Sequence, residues 1–241
     1  ALAVGIGTGI LSLASLARHM LEHHHAETLA AFFGLILGSC VLVARMVKAE
    51  SGRERTVCAA LGVAGIGIAL AIVLQNALAG STSHAYTFLS GAVAICAMIL
   101  PGISGAYILL LLGKYADITG ILKSLPRGEA TSADLVTLCV FAAGCALGLL
   151  LFRQFVRWLL ERWHGPTLAL LCGFMIGSLY KIWPFQQDLT PSEEFKHKQF
   201  KPVWPEAFDN QVMTCPVIAF VGLLAVLAMD WVSRRGRSDT P

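Results

Sequence analysis

Between Thr87 and Gly113 the chain runs 27 residues without a charge, and the centre of that stretch reads Pro101-Gly102-Ile103-Ser104-Gly105. The stretch is long enough to cross a bilayer. Its centre nevertheless opposes a continuous helix. Pro101 has no backbone N–H and clashes with the preceding turn. Gly102 and Gly105 permit backbone angles that other residues avoid. Ser104 suits the N-cap of a new helix beginning at Ala106. A broken helix at membrane depth is tolerated only where protein or a polar cavity surrounds it. In transporters such breaks commonly mark the substrate site.

The halves are too short to cross alone. Phe88–Leu100 gives roughly 20 Å of helix and Ser104–Gly113 roughly 15 Å, at 1.5 Å per residue, against a hydrocarbon core of about 30 Å. Two readings follow: a re-entrant hairpin with its tip near the midplane, or one kinked and tilted span. Charge separates them. With a hairpin, one side of the membrane receives Arg45–Arg55, Arg153–Arg162 and the tail 230–241 with Arg234–Arg237, ten Lys/Arg against five Asp/Glu. The other side receives eight Lys/Arg against ten Asp/Glu. With a full span the short loops balance. Short-loop asymmetry is the rule, so the hairpin over 88–113 is expected, with its mouth outside and the tail in the cytoplasm.

The rest of the chain is of one kind. It is 56% hydrophobic and 14% charged, with mean hydropathy +0.69. Charges fall between seven apolar runs: Ala1–Ala17, Thr28–Ala44, Thr56–Gly80, Thr87–Gly113, Leu135–Phe152, Gly165–Tyr180 and Thr214–Met229. None alternates as a barrel strand would. The fold class expected is an all-α integral membrane protein, a polytopic helical bundle. One transmembrane domain over 1–241 is expected, with about six spans plus the hairpin, a polar external loop at 186–211 and a cytoplasmic tail at 230–241. Ala1 is not Met and lies inside an apolar run without a basic n-region, so an upstream segment is expected to be missing rather than a signal peptide present.

Several smaller patterns carry chemistry or packing. Gly34/Gly38, Gly144/Gly148 and Gly173/Gly177 each place two glycines on one helix face, a device for close helix approach in lipid. The seven cysteines lie in or beside apolar runs without a CxxC pair, as small buried residues do. His23-His24-His25 with Glu22 and Glu27 cannot converge on one ion from consecutive helix positions, although His19 and His23 share a face. No metal or cofactor is expected. Arg153 and Arg157, one turn apart at the end of the Leu135–Phe152 run and followed by Trp158 and Trp163, read as interfacial anchors or as a clamp for an anionic head group, since guanidinium binds phosphate bidentately. The turn at 101–105 supports an anion site too: the first N–H groups of a helix lack intrahelical partners and attract phosphate, glycines admit it to the backbone, and the Ser104 hydroxyl adds a donor.

Pro101-Gly102-Ile103-Ser104-Gly105, with Ile108–Leu112 and Gly113-Lys114-Tyr115 behind it, resembles a signature of the bacterial polyprenyl-phosphate transporters, which return undecaprenyl phosphate across the cytoplasmic membrane. Phe32-Phe33-Gly34-Leu35-Ile36-Leu37-Gly38-Ser39 is similar to that family as well, as is Gly173-Phe174-Met175-Ile176-Gly177-Ser178-Leu179 with Trp183-Pro184. The resemblance covers about residues 5–185. The family carries an earlier Pro-Gly-x-Ser-Gly-Gly copy, which this chain lacks, and Ala106 stands where a small polar residue or Gly is common.

The resemblance implies a multi-pass flippase of the bacterial inner membrane that is not an enzyme. Its substrate would be a polyprenyl-phosphate lipid, with the phosphate at Pro101, Gly102, Ile103, Ser104 and Gly105 and with Arg153 as a further contact. Membrane lipids are the other partners, nucleic acid is not one, and a homo-oligomer is compatible with the glycine faces. Two alternatives stand. One is a polyprenyl-pyrophosphate phosphatase, but Gly105 follows Ser104 where an Arg is needed, and no apolar run holds Asp or Glu. The other is a transporter of a small soluble anion.

Overall fold

The computed structural model describes residues 19–21, 23–48, 51–75, 78, 80–100, 104–188, 200–204 and 210–238. The apolar run at 1–17, Glu22, most of the 186–211 loop and the Pro101-Gly102-Ile103 tripeptide lie outside the described residues. The elements in chain order are α1 (His25–Met46), α2 (Gly52–Val73), α3 (His84–Ile99), α4 (Gly105–Leu111), α5 (Tyr115–Ser124), α6 (Ser132–Arg162), α7 (His164–Ser178), β1 (Gln186–Asp188), β2 (Phe200–Pro202) and α8 (Asn210–Ser238). Among the described residues, five helical segments are long and apolar enough to cross a membrane: His25–Met46, Gly52–Val73, Ser132–Arg162, His164–Ile182 and Met213–Arg235. The architecture is all-α and polytopic. Part of the expected polar loop is structured, because β1 and β2 pair antiparallel with Gln186 opposite Pro202.

The described residues gather into two compact units. One comprises Ala1–Leu42 with Leu179–Pro241, the other Val43–Ser178. In the first, a Cβ on Gly34 would collide with the Ala219 carbonyl of α8, and one on Gly38 would lie 2.9 Å from Val226 Cβ. The small face of α1 is therefore closed by backbone. Trp183 anchors the same unit: its indole donates to the Val203 carbonyl at 3.2 Å and its ring packs edge-on against Phe33 and Trp204.

The second unit is built on two parallel helix pairs. Cys58 meets Gly165, Gly62 meets Ala169 and Gly173, and Ile66 and Ala69 meet Gly177, in rising order, so α2 and α7 run the same way with backbones in contact. Phe88 meets Gly144, Gly91 meets Phe141 and Ala92 meets Gly148. The Cys96 thiol donates to the Gly148 carbonyl, so α3 and α6 are parallel too. Two of the three glycine pairs picked out by sequence thus form the seams of this unit, as close helix approach requires.

Between these pairs the chain turns back on itself. Gly105 sits beside Ala94 and Met98, while Tyr86 donates its hydroxyl to the Leu112 carbonyl at 2.9 Å. Residue numbers fall along α3 as they rise along α4, which is an antiparallel hairpin. Its core joins Ala94 and Ala97 of α3 and Ile108 and Leu111 of α4 to Ala69 and Phe174 of the other pair. Burying these side chains stabilises the hairpin against two helices at once.

A second break follows that the sequence reading did not anticipate. Gly113 has φ +64, a left-handed angle suited to glycine. Gly113 N–H donates to Leu110 and Lys114 N–H to Leu109, the paired bonds of a Schellman C-cap. The chain then bends by 114° into α5. Lys114 is buried and pairs with Asp117 at 2.9 Å.

Helix direction also sorts charge. Because α2 parallels α7, and α7 starts where α6 ends, Arg53, Arg55, Arg157 and Arg162 share one end of the unit. Because α3 parallels α6 and the hairpin returns, Ser83, Lys114 and Pro126 share the other.

Candidate functional site

The hairpin break is framed by two extended residues. Leu100 ends α3 with φ −73, ψ 124, and its N–H reaches back to Ala97. A residue before proline is pushed to such angles because proline Cδ crowds the α conformation. Ser104, also extended at φ −84, ψ 130, is the N-cap of α4. The helix begins at Gly105, one residue earlier than the sequence predicts, since the Ile108 N–H already bonds the Ser104 carbonyl at 3.1 Å. The Ser104 side chain makes no capping bond. It is exposed and has no hydrogen bond among the described residues.

Gly105 has a different local role from the one spacing implied. It is buried, and a Cβ there would lie 2.8 Å from the Ala94 carbonyl oxygen. Its missing side chain lets α4 lie against α3, which is a packing requirement of the hairpin itself. α4 has seven residues, under two turns, so few peptide dipoles add at its start. Any anion at the break draws more on side-chain charge than the sequence reading assumed.

Side-chain charge near the end of α3 comes from α6. Gly148 abuts Ala92 and Cys96, which places Ile99, the last residue of α3, beside Leu149 and Arg153. These three line one cavity of about 570 Å³, together with Val156, Arg157, Leu160, Glu161 and His164. The lining is largely apolar, with Arg153, Arg157, Glu161 and His164 as its polar members. A second cavity of about 620 Å³ shares Arg153, Arg157 and Glu161 and adds Gln154 and Trp158. Arg153 is exposed, and its guanidinium makes no ion pair or hydrogen bond among the described residues. Arg157 is engaged: its Nε donates to Glu161 Oε1 at 2.7 Å. Trp158 packs edge-on to Trp163 and stacks on Phe155, an aromatic belt beside the arginines.

Ile99, the last residue of α3, and Arg153 thus line one cavity, at the level where the apolar run of α6 ends. Pro101, Gly102 and Ile103 lie outside the described residues. Glu161 and His164 were missed in the sequence. Glu161 was legible as the i+4 partner of Arg157; nothing local marks His164, which enters through the Trp163 junction between α6 and α7.

The histidine cluster makes mostly local bonds, apart from His25 Nε2, which lies 3.5 Å from Gln186 Oε1. The Nδ1 atoms of His23 and His25 face the His19 and Leu21 carbonyls, and His24 lies 3.6 Å from Glu27. The His19 and His23 rings are 4.3 Å apart. Among the described residues no group of three or more His, Cys, Asp or Glu is arranged to hold a metal ion.

These features define a class: a polytopic helical membrane protein with an antiparallel hairpin, the last residue of whose first helix lines a largely apolar cavity with Arg153 and Arg157. The chain belongs to the undecaprenyl phosphate translocase-like family, whose profile matches residues 1–200. It is similar to a Vibrio cholerae protein named polyprenyl-phosphate transporter, 39% identical over 186 residues, covering 77% of this chain and 56% of the relative. A Staphylococcus aureus protein of the same name is 29% identical over 192 residues, covering 75% of this chain and 66% of the relative. The chain therefore spans between half and two thirds of the length of these relatives. No solved structure matches it significantly.

Proposed function

We propose that this chain moves a polyprenyl phosphate, of which undecaprenyl phosphate is the expected lipid, across the bacterial inner membrane. The observation that carries the reading is the shared cavity of Ile99 and Arg153. A lipid phosphate needs a cation or donor for its head and an apolar surface for its tail. Arg153 and the Ser104 hydroxyl would supply the first, with the backbone of Pro101-Gly102-Ile103-Ser104-Gly105. Ile99, Leu149, Val156 and Leu160 would supply the second. Guanidinium is suited to this role because it presents paired N–H donors to phosphate oxygens.

The basic end of the Val43–Ser178 unit would face the cytoplasm, as short-loop Lys/Arg do. The 186–211 loop would then lie outside and the 230–241 tail inside. In that orientation the cavity opens toward the cytoplasmic interface, where a recycled carrier must be delivered. Hydrolysis is the poorer reading. The one carboxylate at the cavity, Glu161, is held by Arg157, and the relatives are named as transporters.

Native mass spectrometry of the purified protein with undecaprenyl monophosphate tests the site. Arg153→Ala should weaken binding about tenfold or more, the usual cost of a lost charged hydrogen bond. Inorganic phosphate at the same concentration should not compete. Undiminished lipid binding by folded Arg153→Ala would remove the cavity from the mechanism, and competition by free phosphate would favour a soluble anion.

A further inference from the structure

We infer that the Arg157–Glu161 pair makes this site selective for a lipid bearing one phosphate over one bearing two. The inference rests on the reading of the cavity as a head-group site. Arg153, Arg157 and Glu161 follow one another at intervals of four residues on α6, so they form a stripe with roughly 6 Å between successive members. Arg153 is nearest the hairpin break and makes no bond among the described residues. Arg157 is occupied, its Nε 2.7 Å from Glu161 Oε1. All three line both cavities.

Two arginines and one glutamate leave one positive charge, concentrated at Arg153. A phosphomonoester carries about −1.5 to −2 at neutral pH, which suits a single free guanidinium helped by neutral donors. A diphosphate extends further along the stripe. With its tail against Ile99 and Leu149 and its inner phosphate at Arg153, the outer phosphate would reach Arg157 and Glu161. There it would find a guanidinium already engaged and a carboxylate of its own sign. Like charges brought together at an interface discriminate strongly between partners. Glu161 thus acts by repulsion, and also by tying up the second cation that a diphosphate would use.

The two side chains are 74% and 64% exposed, and exposed pairs of this kind contribute little to folding, so substitution leaves the helix intact. The experiment compares undecaprenyl monophosphate and diphosphate binding by native mass spectrometry in wild type, Glu161→Gln and the double variant Arg157→Gln/Glu161→Gln. The ratio of diphosphate to monophosphate affinity should rise about tenfold in Glu161→Gln, the scale of one uncompensated charge contact. The double variant should keep only the part of that gain due to lost repulsion, because the freed Arg157 supplies the rest. A ratio in Glu161→Gln within twofold of wild type, or a gain undiminished in the double variant, overturns the role of the pair. Failure of the head-group reading looks different. Wild type would then bind neither lipid, or Arg153→Ala would bind the monophosphate as wild type does.

Discussion

α6 and α7 are neighbours in sequence, joined at Trp163, yet they meet opposite surroundings. In the most apolar window of each, 56% of the His164–Ile182 segment is buried and only 11% of Ser132–Arg162. Hydropathy does not predict this, since α6 is the more apolar of the two, at 2.5 against 1.3. Residue size does. α7 sets Gly165, Ala169, Cys172, Gly173 and Gly177 along one face and buries Thr167, Phe174, Met175 and Ser178 on the others. α6 confines its small buried positions to Gly144 and Gly148 and turns Leu150, Leu151 and Phe155 outward. In lipid, where greasy surface has no reason to hide, small residues decide what is interior. The charged stripe belongs to the less buried helix of the two.

The sharpest way to break that contrast is to overfill the interior helix. A Cβ on Gly173 would collide with the Gly62 carbonyl oxygen. Gly173→Val should therefore cost at least about 2 kcal/mol or prevent folding, because backbone cannot yield as a side chain can. Leu150→Ala on α6, where the side chain is 61% exposed, should change stability by about 0.5 kcal/mol or less. Thermal melting of the two variants in detergent is the check. Similar losses would mean that α6 is as enclosed as α7.

The seam between α3 and α6 can be sharpened next. If Gly144 and Gly148 set the register, Ile99 and Leu149 are neighbours. Cysteines at these two positions on a cysteine-depleted background should be joined by a short dithiol-reactive linker. Ile99→Cys paired with Thr137→Cys, near the other end of α6, should not be. Cross-linking of the second pair would reverse the direction of α3 and separate the hairpin break from Arg153. The same background tests topology: cysteines at Ser83 and Pro126 should label from one side of the membrane, and labelling from opposite sides would convert the hairpin into a span.

The sequence carried the hairpin because its causes are local. Proline, two glycines and a serine sit inside an uncharged stretch, and charge counting chose between its two readings. The three glycine pairs were equally legible, since spacing by four puts both on one face. What they touch was not, because a partner such as Ala219 or Phe88 depends on tertiary register. The turn at Gly113 could have been read, for a glycine past a short apolar helix is a C-cap signal; it was hidden by treating the stretch as ending there. Gly105 was misjudged in emphasis. Chemistry pointed to an approaching phosphate, while the neighbour that most needs the space is the Ala94 carbonyl. Its substitution would confound folding with binding and is a poor probe of the site.

Arg153→Lys is a finer probe of the outer helix. Lysine keeps the charge and can reach the interface, but it lacks the paired donors of guanidinium. Transport of a fluorescent polyprenyl phosphate in proteoliposomes, with protein amount and orientation matched, should slow several-fold. Wild-type flux would make Arg153 an anchor that any cation can replace.

The smallest effect expected is at Ser104, and it separates two roles that usually coincide. An N-cap serine replaced by alanine costs about 0.5–2 kcal/mol when its oxygen receives a backbone N–H. Here the hydroxyl makes no such bond, although the residue occupies the N-cap position with extended angles. Ser104→Ala should therefore leave the melting temperature of the ligand-free protein nearly unchanged. If the hydroxyl donates to the lipid phosphate, the same variant should lose about 1 kcal/mol of binding, roughly fivefold in affinity, the net contribution of one neutral donor. The two measurements must be read together. Weaker binding with unchanged stability assigns the hydroxyl to the substrate. Lower stability with unchanged affinity per folded molecule would assign it to the helix start, leaving Arg153 as the side chain that distinguishes this hairpin break from an ordinary one.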